Sequence, residues 1–350
     1  MKKIFCINLL TLYFILFIIC LFNYLVDPAN IFKKYTELKP LIKERSNIGV
    51  NFNIDERKFK GFLLENTHNI DTLIVGSSRI MILNDSFFDN QKIFNAGVSG
   101  AGLEDQMAFI DIYRNKFNSL PKKIILGIDP WAFNLNSDVR YKSIEDNYLS
   151  LKKDISGMNN SIDINKIIDK YKTLATYSYL RDSFNFFKKN NFTIPKLNFT
   201  KIPDDNLDIF KGNIYLANDY SLLYSKEYRE NNYGQVWNDS IHYQIYGFDK
   251  INPTLKNEFE NLINFLLKKK TEIIIFLAPY SPNSYSEYEK NYPHYYNLLN
   301  NIENYLTKIA NNSDNISLIG SYNPYKFNLK QTDFYDGMHL RRSKLSNILE

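Results

Sequence analysis

Thr72-Leu73-Ile74-Val75-Gly76-Ser77-Ser78-Arg79 is the stretch that decides the fold. Thr72–Val75 is short, apolar and rich in β-branched residues, which reads as a buried strand, and the glycine that follows permits a sharp turn out of it. Two further runs end in the same way. Lys92–Phe94 leads into Asn95-Ala96-Gly97-Val98-Ser99-Gly100-Ala101-Gly102, and Lys122–Gly127 leads into Ile128-Asp129-Pro130-Trp131. Between them, Leu103–Phe117 carries Met107, Phe109, Ile110 and Ile112, a spacing that suits a helix packed on a sheet. Strands that alternate with helices imply parallel pairing, because a parallel crossover normally uses a helix.

The pattern resumes late in the chain. Leu255–Leu267 reads as an amphipathic helix, Glu272–Leu277 as a very apolar strand ended by Pro279, Tyr288–Ile309 as a helix and Ile316–Ile319 as a strand. The expected class is therefore α/β, with residues near 72–135 and 250–350 building one parallel sheet. The middle, about 136–250, is rich in Asn, Tyr and Phe with scattered helical patches such as Ile164–Phe187, and it reads as an insertion that covers or flanks a site.

At the other end, Met1-Lys2-Lys3 precedes an apolar run from Ile4 to Val26 that is interrupted only by Asn8, Thr11 and Asn23. As a helix it spans a hydrocarbon core of about 30 Å. It ends in Val26-Asp27-Pro28 with no small-residue cleavage site, so residues 1–27 read as an uncleaved signal anchor that enters the bilayer through residues 4–26. Lys2 and Lys3 place the N-terminus in the cytoplasm; Lys33, Lys34 and Lys39 follow the span, but a long domain translocates largely regardless of its charge. Residues 28–70 then read as a juxtamembrane linker and helix, and 71–350 as the α/β domain. Cys6 and Cys20 both fall in the anchor, which leaves the rest of the chain without disulfides, thiolate chemistry or cysteine metal sites. A net charge of +5 over 350 residues, with no dense basic block, gives no support for nucleic-acid binding.

Four short motifs carry candidate chemistry. Ser78 stands where a parallel strand ends, the edge at which open α/β sheets place their sites, although a strand-end loop whose serine merely caps the next helix uses the same residues. The small residues of Asn95–Gly102 let backbone N–H groups approach an anion or a developing oxyanion. A tight turn or a phosphate loop are the alternatives, but neither phosphate-binding glycine pattern is present. Asp129 brings a carboxylate to the same edge, or caps a turn ahead of Pro130. Asp336 and His339 stand three residues apart. A serine needs a histidine to take its proton, and that histidine needs a carboxylate to fix its tautomer. A chance surface pair, or a metal site with Asp333, competes; His68, His242 and His294 form no spaced ligand set. Arg79 and Asn95 are candidate substrate contacts, and Trp237, Tyr243 and Tyr246 could stack on sugars or pack together.

The order of these motifs resembles the SGNH hydrolase family, the GDSL-like esterases. Gly76-Ser77-Ser78 is similar to the family's Gly-Asp-Ser block, Gly100 matches its second-block glycine, Gly127-Ile128-Asp129 stands at its Gly-x-Asn-Asp block, and Asp336 with His339 matches its final Asp-x-x-His. The resemblance implies a three-layer, doubly wound, flavodoxin-like parallel sheet. It also implies Ser78 as nucleophile, His339 as general base, Asp336 as its orienting carboxylate, and an oxyanion site from the N–H groups of Ser78 and Gly100. Asp129 replaces the asparagine that donates the family's third hydrogen bond, and an ionised carboxylate there would repel an oxyanion. With the anchor and Val26-Asp27-Pro28, the chain looks like the membrane-anchored members of bacterial envelopes, among them the D-alanylation protein of teichoic-acid systems and partners of membrane-bound O-acyltransferases. The implied function is an esterase or O-acyltransferase on an acylated envelope glycan or lipid-linked sugar, without a cofactor or metal, at the bacterial cytoplasmic membrane with its main domain outside. The alternative is a catalytically silent adaptor for an integral-membrane O-acyltransferase.

Overall fold

The computed structural model describes residues 2–32, 35–50, 54–88, 91–157, 171–194, 199–202, 214–223, 245 and 247–349. Trp237, Tyr243, Tyr246 and His242 lie outside the described residues, as does the 164–170 part of the helical patch. Contacts divide the chain into two compact units, one of residues 1–36, 52–55 and 160–198, the other of residues 37–51, 56–159 and 199–350.

In the first unit, helix α1 (Lys2–Val26) contains a 23-residue stretch, Ile4–Val26, long and apolar enough to cross a membrane, with a mean hydropathy of 2.7. Its side chains from Ile4 to Phe17 are exposed, as a lipid-facing helix requires. The chain leaves the helix at Asp27, whose carboxylate accepts from the N–H groups of Ile31 and Phe32 at 2.8 and 2.9 Å.

After a short helical turn at Lys39–Lys43, the second unit holds strand β1 (Asn47–Val50) and helix α2 (Glu56–Asn66), and continues through β2 (Thr72–Val75), β3 (Ile93–Asn95), α3 (Leu103–Phe117), β4 (Lys123–Gly127) and α4 (Glu145–Ser156). Helix α5 (Tyr177–Lys189) belongs to the first unit. The second resumes with β5 (Phe199–Ile202), β6 (Ile214–Leu216), α6 (Pro253–Lys268), β7 (Glu272–Leu277), α7 (Pro282–Asn291), α8 (Pro293–Ala310) and β8 (Ile316–Gly320).

Five strands form one parallel sheet in the order β3-β2-β4-β7-β8. The expected split core is present: Ile74 faces Ile125, and Ile125 faces Ile274, across strands from the two halves of the sequence. Counted within the sheet the order is 2-1-3-4-5, so its direction of growth reverses between β2 and β4, where open α/β sheets leave a crevice at their carboxyl ends. Helix α6 buries Leu255, Phe259, Leu262, Ile263 and Leu266 on one stripe, and its start is fixed by Pro253 and by Asn252, whose side chain accepts from Thr254 N and Leu255 N.

Two expectations need correction. The single helix read over Tyr288–Ile309 is two, α7 and α8, broken at Tyr292 because Pro293 lacks an N–H and restricts the residue before it. The stretch read as linker and helix holds β1 as well, the centre of a three-stranded antiparallel sheet with β5 and β6 from the insertion. The insertion itself is shared: residues 160–198 group with the N-terminal helix, and β5 and β6 with the α/β unit.

Candidate active site

The turn after β2 is shaped by Gly76, whose φ of 153° and close approach to Gly127 exclude a side chain; a Cβ there would lie 2.7 Å from the Gly127 carbonyl oxygen. Ser77 is fully buried and its hydroxyl accepts from Arg79 N at 3.1 Å, capping a short 3₁₀ turn over Ser78–Ile80. The capping role falls to Ser77, and Ser78 is left partly exposed among buried neighbours.

Opposite it, Phe334 and Leu340 pair as an isolated antiparallel bridge, and Tyr335 N donates to His339 O at 2.8 Å, which closes a tight loop over 335–339. Phe334 and Leu340 sit in the same apolar cluster as Ile74, Ile80 and Phe276, so the loop and the serine turn rest on one core. Inside the loop, Asp336 Oδ1 accepts from Met338 N and His339 N at 2.8 and 2.9 Å. Its other oxygen, Oδ2, lies 2.6 Å from His339 Nδ1, and His339 Nε2 lies 2.8 Å from Ser78 Oγ. A carboxylate can only accept, so Nδ1 carries the proton and Nε2 is left as the acceptor for the serine hydroxyl. Burial pushes the Asp336 carboxyl up, but the hydrogen bond and charge of His339, with the two backbone donors, outweigh it and hold the group below the usual carboxylate range. Side-chain exposures of 23% for His339 and 16% for Asp336 leave the imidazole reachable from solvent. Asp333 is turned elsewhere, to Lys330 N and Lys344.

The Asn95–Gly102 loop is stitched to the serine turn by Ala96 N to Ile74 O and Val98 N to Gly76 O, at 2.8 and 3.1 Å. Most of its donors are already spent. Gly97 N goes to Asn95 Oδ1, Ser99 N and Oγ to the carboxylate of Glu56, and Gly102 N to Asp105. Two of these partners are carboxylates, which rules the loop out as a phosphate cradle. Gly100, with φ 62°, and Ser78 have backbone N–H groups without a partner among the described residues. They are the two backbone donors that the sequence reading assigned to an oxyanion.

Arg79 and Asn95, candidate substrate contacts by sequence, are both buried and engaged within the protein. The amide of Asn95 donates to Ile80 O and Leu83 O at 3.0 and 2.9 Å. Arg79 pairs with Asp129 Oδ1 at 2.7 Å, donates to Ala278 O and to Met338 O, and stacks its guanidinium 4.2 Å from the centre of the Tyr280 ring. One side chain thus ties the end of β4, the end of β7 and the histidine loop to the serine turn. Burial works against its charge, but Asp129 holds the guanidinium above its ordinary value. Burial pushes the Asp129 carboxyl up, and the charge of Arg79 opposes that rise without cancelling it.

Sequence reading missed the supports of the loop. Glu56, Arg57 and Lys60 stand on one helix, α2: Arg57 forks onto Asp105 at 2.6 and 2.9 Å and reaches Ser99 O, and fully buried Lys60 donates to Asn95 O and Tyr220 O. Burial pushes the Lys60 ammonium down to about 7. Four charged residues within the five positions 56–60 of the helix were the available signal, but a charged helix face usually looks to solvent. Neither protein-family models nor curated proteins match the chain.

Proposed function

We propose that this chain is a membrane-anchored serine esterase or O-acyltransferase of the SGNH type, with a three-layer doubly wound core, acting on an acyl ester of a cell-envelope glycan. The observation that carries the reading is the continuous chain Ser78 Oγ, His339 Nε2, His339 Nδ1, Asp336 Oδ2, with contacts of 2.8 and 2.6 Å. In the proposed reaction Ser78 Oγ attacks the ester carbonyl as its proton passes to His339 Nε2, and Asp336 steadies the imidazolium. The oxyanion rests on the N–H groups of Ser78 and Gly100. Collapse returns the proton to the departing alcohol and leaves an acyl-serine. Water or a sugar hydroxyl then attacks that ester, again giving its proton to His339, and the second collapse frees Ser78. The membrane helix, with Lys2 and Lys3 on the cytoplasmic side, would hold the site outside the bacterial cytoplasmic membrane.

A fluorophosphonate, which traps a serine that a histidine can deprotonate, tests this directly. The full chain in detergent is expected to label at Ser78, and Ser78→Ala to stay unlabelled. The silent-adaptor reading is favoured by one observation: the carboxylate of Asp129 stands where a side-chain amide would give the third oxyanion donor, and it is committed to Arg79. Losing one such donor costs on the order of 10²–10³ in rate. A folded protein that does not label would establish the adaptor.

A further inference from the structure

The first unit carries a surface that the hydrolase reading does not use. Helix α5 leaves Tyr177 at 79% and Phe184 at 54% exposure, and beyond its end Phe192 and Ile194 are at 61% and 49%. Tyr177, Arg181, Phe184 and Lys188 follow one another at helical spacing, so aromatic and cationic side chains share one exposed stripe. The adjoining exposed stripe, Ser178, Asp182, Asn185 and Lys189, is wholly polar, while Tyr179 and Ser183 are buried.

The height of this surface is set by α1. Asn23 Nδ2 donates to Leu174 O at 2.8 Å, Tyr179 OH donates to Asp27 Oδ1 at 2.7 Å, and the rings of Phe22 and Phe187 meet edge to face at 5.5 Å. Contacts from both ends of the 174–187 segment thus fall between Phe22 and Asp27, a rise of about 8 Å at 1.5 Å per residue. Tyr179 and Phe187 lie about 12 Å apart along α5, against about 8 Å between their contacts on α1, so the two helix axes cross at an angle. More rings gather at the same level: Tyr24 and Tyr171 flank Phe32 at 5.5 and 5.6 Å, and Phe192, held at φ 56°, sets its ring 5.8 Å from Phe187. Aromatic rings at the end of a spanning helix mark the membrane–water boundary, and a helix with one apolar, cationic face and one polar face lies in that plane.

We infer that α5 and the turn after it lie in the membrane interface, with Tyr177, Phe184, Phe192 and Ile194 entering the boundary between headgroups and acyl chains and Arg181 and Lys188 facing lipid phosphates. The inference rests on α1 being a membrane span. The occupant of the exposed stripe is the bilayer itself, continuous with the surface that α1 already presents to it.

Nitroxide labels placed by cysteine substitution in a Cys6→Ser, Cys20→Ser full-length chain, in nanodiscs of mixed phosphatidylglycerol and phosphatidylcholine, read this placement. At Phe184→Cys and Phe192→Cys the ratio of oxygen to nickel-chelate accessibility is expected to be several-fold above that at Asp182→Cys, and below that at Leu16→Cys in mid-span. Water-like ratios at 184 and 192, with a deep Leu16 label, overturn the inference and leave the anchor standing. Protection from both reagents at 184 and 192 means that protein covers the stripe, which overturns the lipid assignment. A water-like Leu16 label refutes the anchor, and the interfacial helix with it.

Discussion

The guanidinium of Arg79 and the carboxylate of Asp129 meet at 2.7 Å with side chains 0% and 4% exposed, one residue along the chain from the candidate nucleophile. The pair answers the charge of Asp129, and it sets the orientation of a side chain that touches the serine turn, the end of β7 and the histidine loop together.

Asp129→Asn removes the anion and leaves the guanidinium buried without a counter-charge, a change that costs about 3–5 kcal/mol in other buried pairs. Replacing both partners, Arg79→Met with Asp129→Leu, is expected to cost less than Asp129→Asn alone, because no charge is stranded. Unfolding midpoints of Arg79→Met, Asp129→Leu and the double variant measure the coupling. Equal and additive losses would show that the pair is not coupled.

Asp336→Asn keeps the shape of the loop but offers His339 Nδ1 an amide in place of a carboxylate, which favours the wrong tautomer. Serine labelling by a fluorophosphonate is expected to slow by about 10⁴, with His339→Ala at least as slow. Because the Asp336 carboxyl is held below its ordinary value, its contribution to stability is present in full above about pH 4 and is lost as pH falls through the lower, folded value. The wild type is therefore expected to lose stability below about pH 4 more steeply than Asp336→Asn.

How much of this could be read beforehand follows from where each interaction is encoded. Ser78, Gly100 and Asp129 each stand just past a short apolar run, so their shared edge follows from strand ends and parallel pairing. Asp336 and His339 are local neighbours, and their mutual geometry is a property of one loop. Arg79 was misjudged because a lone arginine in a turn is normally solvated, and only the pairing with a carboxylate 50 positions away makes its burial tolerable. Strand β1 was hidden for a related reason: Asn47–Val50 is short, and its partners lie near residues 200 and 215 in the insertion. The break at Tyr292 was written in Pro293, but the apolar period runs on through it and masks the stop.

Gly76→Ala tests whether the serine turn depends on backbone contact. The added methyl group would meet the Gly127 carbonyl oxygen at 2.7 Å and its Cα at 3.0 Å, and the φ of 153° suits only glycine. Strain of this kind costs on the order of 1–3 kcal/mol. The turn carries Ser78, so labelling is expected to fall with stability. Gly157→Ala, whose φ is also positive but whose Cβ meets nothing within 4 Å, is the control: it is expected to lose stability and keep labelling.

Glu104, on the first turn of α3, has its carboxyl pushed up to about 7, chiefly by burial, with Asp105 and Glu258 adding to the rise and Lys152 opposing it. Between the ordinary value of 4.5 and about 7, the folded protein holds a proton that the unfolded chain has released. Stability from this group is therefore full below pH 4.5 and is lost as pH rises through about 7. Glu104→Gln preserves the shape of the neutral acid and cannot ionise. Its unfolding free energy is expected to match the wild type near pH 4.5 and to exceed it at pH 8 by on the order of 1–3 kcal/mol. Denaturant titrations of the two proteins at both pH values measure the difference, and an offset that does not change with pH would show that Glu104 ionises as freely in the fold as in water.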